Sequence, residues 1–180
     1  MRCLLVGRFQ PFHLGHLAVL RQMRVDQPTA DILLGIGSAQ ESYTPLNPFT
    51  AGERYEMIAR ALAQDDLGAV AAVPIPDIQR HALWVAHVRS LLPTFEVVYT
   101  NNPLTRMLFE EGGYRVAAPA LVERNRFEGA HVREEILGDR AWTELVPPAV
   151  AQYVTAIHGP ERIRLLSAQG PTHPSDAASR

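Results

Sequence analysis

The decapeptide Gly7-Arg8-Phe9-Gln10-Pro11-Phe12-His13-Leu14-Gly15-His16 gathers the side chains of this sequence best suited to holding an anion. Arg8 offers a guanidinium fork that can span two phosphate oxygens. His13 and His16 add two ring donors, and Gly15 between them leaves a gap in which a phosphate can approach the backbone. The apolar run Cys3-Leu-Leu-Val6 precedes this stretch, and a helix-compatible segment follows from Leu14. Strand, tight loop and helix N-terminus is an arrangement in which unpaired backbone N–H groups and the helix dipole face an anion. The stretch is neither a Walker loop nor a G-x-G-x-x-G fingerprint. It reads as a phosphate site built by Gly7, Arg8, Phe9, His13, Gly15 and His16. On spacing alone, Arg8 can equally be a surface charge.

Such a site needs a frame, and apolar β-type runs alternate with helical patterns through most of the chain. The pattern predicts strands near 2–6, 31–36, 69–74, 95–99 and 114–118, and helices near 14–25, 50–65, 81–92 and 103–111. Near-continuous apolar runs such as Asp31-Ile-Leu-Leu-Gly-Ile36 suit parallel strands covered on both faces. The expected fold is therefore α/β, a Rossmann-like doubly wound parallel sheet of about five strands. Ligands on such sheets bind at the carboxyl ends of the strands, where the order reverses. Thr50-Ala-Gly-Glu53 is a capping box, with Tyr55, Ile58 and Leu62 as the apolar stripe behind it and Arg54 as a helical surface charge. After Pro119 only helices are expected, near 130–137, 148–158 and 161–167, as a C-terminal helical cap. One domain of residues 1–167 results, with an α/β core over 1–119, a helical part over 120–167 and a disordered tail over 168–180.

Bulk properties narrow the function class. The chain has 180 residues and a formal net charge of −2, so no basic excess points to nucleic acid. Nothing approaches the roughly 18 consecutive apolar residues of a membrane span. The sequence enters a strand at once, so no signal peptide is expected. The single cysteine, Cys3, lies in a predicted buried strand and reads as packing. A reducing cytoplasm is the resulting expectation, with no dedicated metal site, since no His/Cys cluster has metal spacing.

The extended motif G-R-F-Q-P-F-H-x-G-H resembles the [H/T]-x-G-H signature of the nucleotidyltransferases, in the form found in archaeal-type nicotinamide mononucleotide (NMN) adenylyltransferases. Gly35-Ile-Gly-Ser-Ala-Gln40, Asn47-Pro-Phe-Thr-Ala-Gly-Glu-Arg54, Pro76-Asp77-Ile78, Leu83-Trp84-Val85 and Asn102-Pro103-Leu104 also match that family in order, so the resemblance runs to Ile163. It implies transfer of AMP from ATP to NMN, with Mg²⁺ arriving on ATP, and a homo-oligomeric enzyme. His13, His16, Arg8 and Arg133 become the catalytic candidates. Ser38, Gln40 and Gly129 join the ATP side, and Asp77, Trp84, His81 and Asn102 the NMN side. The matching family tryptophan stacks on nicotinamide, and a cationic ring over indole is physically sensible; periodicity alone would equally place Trp84 in the core. Asp77 can fix the carboxamide or a ribose hydroxyl, or simply cap the helix at 81–92. His81 stands where family members often have Asn.

One segment departs from the family. Its S-G-T-x-[IV]-R pattern is here Glu128-Gly129-Ala130-His131-Val132-Arg133, so both hydroxyl donors are gone. Glu128 would repel a triphosphate unless turned outward. His131 is the expected compensation, protonated beside the phosphates. Two alternatives remain open on sequence: a pantetheine-phosphate or sugar-phosphate acceptor, and a non-catalytic nucleotide-binding regulator.

Overall fold

The computed structural model describes residues 1–119 and 127–168. Five strands, β1 (Arg2–Gly7), β2 (Asp31–Ile36), β3 (Val70–Pro74), β4 (Val97–Tyr99) and β5 (Arg115–Ala117), form one sheet in the order β3-β2-β1-β4-β5. Every pairing is parallel, with Leu4 opposite Leu33 on one side of β1 and Val98 on the other. The chain winds outward through β1, β2 and β3 and then returns to lay β4 against β1. The order therefore reverses between β1 and β4, at the end of the strand that carries the Gly7–His16 motif.

Alternation along the buried strands divides the apolar side chains between two cores. Cys3 and Leu5, Ile32, Leu34 and Ile36, and Val97 and Tyr99 face α1 (Leu14–Asp26) and α2 (Ala51–Leu62). Leu4, Leu33 and Val98 face the other way, towards α3 (His81–Leu91) and α4 (Pro103–Glu111). Cys3 is a buried free thiol whose pKa is raised by burial, in keeping with a packing role. The last helices, α5 (Gly129–Leu137), α6 (Pro148–Ala156) and α7 (Gly159–Ala168), join the first core through Val132, Ile136, Val150, Val154 and Ile163. They thicken the α1/α2 layer. A 3-10 turn over Trp142–Leu145, which the apolar pattern does not announce, buries Trp142 between α5 and α6. The expected tail falls outside the described residues, except that Ala168 ends α7. Among the described residues no helix is long and apolar enough to cross a membrane.

The capping box at α2 forms as the sequence implies. Thr50 Oγ1 accepts from the Glu53 N–H at 3.1 Å, and Glu53 Oε2 accepts from the Thr50 N–H at 2.9 Å. The stripe behind it sits elsewhere than expected. Arg54, Met57, Ile58 and Ala61 are the buried positions, whereas Tyr55 is 49% exposed. The inward face follows i, i+3, i+4, i+7 from the arginine, so Arg54 is an interior residue and not a surface charge.

Glu53 also ties α2 to the C-terminal layer, since Arg162 donates to both carboxylate oxygens at 2.7 and 2.8 Å. Burial pushes this carboxyl upward, but the bonds from Arg162 and Thr50 outweigh it and hold it below the usual 4.5. Arg162→Ala should cost about 1.5–3 kcal/mol at neutral pH, the scale of hydrogen bonds to a charged group. A carboxyl depressed by folding stabilises above its unfolded pKa and loses that contribution as pH falls through the folded value. Denaturant titrations of the two proteins should therefore converge below about pH 4.5.

Candidate active site

Two cavities open at the carboxyl ends of the strands, one beside the β1 loop and one between α3 and α4. The first, of about 360 Å³, is lined by Arg8, Phe9, Gln10, His13, His16 and, from the α5 side, residues 127–130 and Arg133. The strand–loop–helix reading of the decapeptide holds: β1 ends at Gly7 and α1 begins at Leu14, with His13 as its N-cap. The start of α5 meets the start of α1 across this cavity, so two helix N-termini border the space for an anion. The first turn of neither carries an acidic side chain.

The two imidazoles are stacked, with centroids 3.6 Å apart and planes 22° from parallel. His16 also lies against Phe9 and Phe12, with centroids at 4.7 and 5.4 Å. Burial pushes the His13 pKa down to about 3, and burial followed by the neighbouring His13 ring holds His16 well below the ordinary value. Both rings are neutral at pH 7. His16 Nδ1 accepts the His13 N–H at 3.2 Å, so the proton of this neutral ring sits on Nε2. The ring thus presents a neutral N–H donor to the cavity it lines. Nδ1 of His13 is buried without a hydrogen-bond partner among the described residues.

Gly15 is required for a reason other than the approach of phosphate. A Cβ there would lie 2.8 Å from Phe127 Cβ and 3.1 Å from the Phe127 carbonyl oxygen, so the gap is filled by the residue that leads into α5. Gly129 likewise lets α5 lie close to the β1 loop, since its Cβ would stand 3.1 Å from the Gln10 carbonyl oxygen. Arg133 is buried and donates to that same carbonyl at 2.7 Å, and burial, then Arg8, lowers its pKa. Arg8 itself reaches into the cavity with an exposed side chain and no bond among the described residues.

His131, expected beside the phosphates, is not among the residues that line this cavity. Its Nδ1 lies 3.9 Å from Glu134 Oε2 on the outer side of α5. One helical step explains this: Ala130 and Arg133 are three apart and share the cavity face, whereas residue 131 is turned away from it. Glu128 lines the cavity as the N-cap of α5, without a side-chain cap bond.

The second cavity, of about 290 Å³, brings together Asp77, Arg80, His81, Trp84 and Asn102. Trp84 is half-buried, with its edge against Phe109 at 5.4 Å and 72°, so it is anchored in the second core while lining the cavity. The indole therefore packs on the core and lines the cavity at once. Asp77 is not the cap of α3, whose N-cap is Arg80. Instead Asp77 Oδ2 accepts from Ser38 Oγ at 2.6 Å, and the Asp77 N–H donates to Gln40 Oε1 at 2.8 Å. Ser38 and Gln40 therefore brace this second cavity and do not line the first. Asn102 caps α4 through its Oδ1, which accepts from the Thr105 N–H at 2.9 Å, leaving its Nδ2 as the donor on this side.

Two residues that sequence reasoning passed over hold the loops in place. Gln10 is 3% exposed and pairs with Phe49 like a strand residue: its Nε2 donates to the Phe49 carbonyl at 2.9 Å and its Oε1 accepts the Phe49 N–H at 3.0 Å. Arg54 is fully buried and donates to five backbone carbonyls, those of Arg8, Gly37, Ser38, Glu41 and Thr50. Its position in the buried stripe of α2 is the signal that could have found it.

A doubly wound sheet with an H-x-G-H loop, two facing helix N-termini and an adjoining aromatic cavity defines a nucleotidyltransferase of the cytidylyltransferase-like class, whose family model matches residues 4–144. The nicotinamide-nucleotide adenylyltransferase of Thermoplasma volcanium is 46% identical over 166 residues, 92% of this chain and 92% of the relative. That of Methanoculleus marisnigri is 47% identical over 162 residues, 90% of this chain and 95% of the relative. The chain belongs to the nicotinamide-nucleotide adenylyltransferase family. A bifunctional NMN adenylyltransferase/ADP ribose pyrophosphatase from Francisella tularensis, complexed with AMP and a manganese ion, shares the fold with a TM-score of 0.72 at 20% identity. That match covers 93% of this chain and 52% of the other.

Trp84→Ala should weaken the pyridine nucleotide by about 1–3 kcal/mol, the scale of base–aromatic stacking, with ATP affinity little changed. Because the indole is only half-buried, the stability loss should stay under the roughly 3–5 kcal/mol of a core Trp→Ala. Calorimetric titrations beside a melting curve check both.

Proposed function

We propose that this protein transfers AMP from ATP to NMN, giving NAD and pyrophosphate by direct in-line attack. The observation that carries the reading is the pair of cavities at the switch point: one rich in anion donors, the other bearing Trp84 and a braced Asp77. A 5′-phosphate oxygen of NMN forms a bond to the α-phosphorus of ATP. The bond from that phosphorus to the α,β-bridging oxygen breaks, and its electron pair leaves on pyrophosphate. The attacking phosphate is largely ionised at neutral pH, its second pKa being near 6, so no general base is needed. The protein's work is alignment and stabilisation of charge on the departing group.

Roles follow from position. His16 donates its Nε2–H to the α/β-phosphate region without first having to lose or gain a proton, and His13 backs it. Arg8 and Arg133 supply full charge from opposite walls, and the α5 N–H groups beside Gly129 stand in for the missing hydroxyl donors. Gly7 and Phe9 shape the loop that ATP meets, with Phe9 held at φ 51°. In the acceptor cavity, Trp84 stacks on nicotinamide, while Asp77, His81 and Asn102 supply polar contacts to carboxamide and ribose. Mg²⁺ would arrive with ATP, held largely by phosphate and water oxygens, and would supply neutralisation of phosphate charge beside Arg8 and Arg133.

The same reading includes a cytoplasmic enzyme with no nucleic-acid partner, in line with its net charge of −2. It also includes a homo-oligomer, which the exposed Leu83, Leu91, Leu104 and Met107 of α3 and α4 support.

Purified protein with ATP, Mg²⁺ and NMN should form NAD and pyrophosphate in equal amounts; turnover of a pantetheine phosphate in place of NMN would overturn the reading. His16→Ala should lower kcat by about 10²-fold, as for one lost preorganised donor. A rise in KM alone would make His16 a ground-state binder.

A further inference from the structure

The phosphate cavity and the acceptor cavity are built by different loops, yet the reaction requires their contents to meet within a bond-forming distance. Arg54 joins those loops. Its Nη1 donates to the Arg8 carbonyl at 3.0 Å, in the phosphate loop, and to the Gly37 carbonyl at 2.7 Å. Its Nη2 donates to the carbonyls of Ser38 at 3.1 Å and Glu41 at 3.4 Å, and its Nε to that of Thr50 at 3.2 Å. Ser38 in turn uses its hydroxyl to hold Asp77 of the acceptor cavity at 2.6 Å, while its own backbone sits at φ 48°. That left-handed conformation is unfavourable for a residue with a side chain and persists where the surroundings impose it. The guanidinium is fully buried, lines neither cavity and has no carboxylate among its bonds. A fork with five donors fixed in one plane suits such a multi-carbonyl clamp; an ammonium offers three.

We infer that Arg54 is a positioning residue that sets the spacing between the two substrates, by clamping the Arg8 carbonyl on the phosphate side and the carbonyl of Ser38, whose hydroxyl holds Asp77, on the acceptor side. It touches neither substrate and acts through Arg8, Ser38 and Asp77. The inference rests on the proposed adenylyl transfer. A misplacement of about 1 Å between reacting groups can cost about 100-fold in rate. Loss of the fork should therefore appear mainly in kcat.

The test is steady-state kinetics of wild type, Arg54→Lys, Ser38→Ala and the double variant, with ATP and NMN varied separately and folded protein measured by circular dichroism. Arg54→Lys should lower kcat per folded molecule by at least about tenfold, with both KM values within about threefold of wild type. Ser38→Ala should raise the KM for NMN or lower kcat while leaving the KM for ATP in place. The two changes should be less than additive by at least about threefold, since each breaks the same connection. Wild-type kcat in folded Arg54→Lys, or strictly additive effects, would overturn the inference and reduce Arg54 to a stabilising residue. Should Arg54→Lys not fold, Ser38→Ala decides: an acceptor-selective defect supports the connection, and wild-type kinetics overturns it. Failure of the wild type to make NAD would instead overturn the reaction itself.

Discussion

A guanidinium with no carboxylate partner lies at the centre of this fold. Burying a charge is costly unless its hydrogen bonds are replaced, and Arg54 replaces them entirely with backbone carbonyls. The carbonyls of Ser38 and Thr50 also accept a backbone N–H, from Glu41 and Arg54 at 3.0 Å each, whereas those of Arg8, Gly37 and Glu41 lie in loops outside the helices and strands. Burial, then the nearby Arg8, lowers the pKa of this group to about 10, which still leaves it charged at neutral pH. The loops that border the two cavities are thereby bonded to a positive charge that lines neither of them.

The same economy explains the electrostatics of the phosphate cavity. Arg8 and Arg133 face it, Arg54 lies behind it, and α1 and α5 turn their positive ends towards it. With so much positive potential gathered, protonated imidazoles would add repulsion; burial holds His13 neutral, and burial together with the His13 ring does the same for His16. Charge comes from residues that cannot release it, and direction comes from residues that need not carry it.

Much of this could be read before the structure. The apolar runs located all five strands, and the H-x-G-H loop fell at the β1–α1 junction where its residue types have physical meaning. The errors share one cause, which is that residue type was allowed to outweigh position. Arg54 looked like a surface charge because arginines usually are, although the spacing to Met57, Ile58 and Ala61 places it inside. His131 looked like a phosphate ligand because histidines can be, although one helical step from Ala130 turns it outward. The bracing of Asp77 by Ser38 and Gln40 joins residues 39 and 37 positions apart, and no local pattern announces a contact at that range. Gln10 lay in plain sight within the motif, but its strand-like pairing with Phe49 depends on tertiary placement alone.

The division of the sheet into two cores also bears on how such proteins diversify. The phosphate machinery is seated on the α1/α2/α5 side, whereas Trp84 and Asn102 ride on α3 and α4, packed on the smaller core around Leu4, Leu33, Val88 and Phe109. The side chains of one core scarcely meet those of the other, because successive strand residues point to opposite faces. Substitutions in the α3/α4 layer can then reshape the cavity at Trp84 without repacking the α1/α2/α5 layer beside the first cavity. A single pleated sheet works here as a partition, so that the packing beneath each cavity can change by itself.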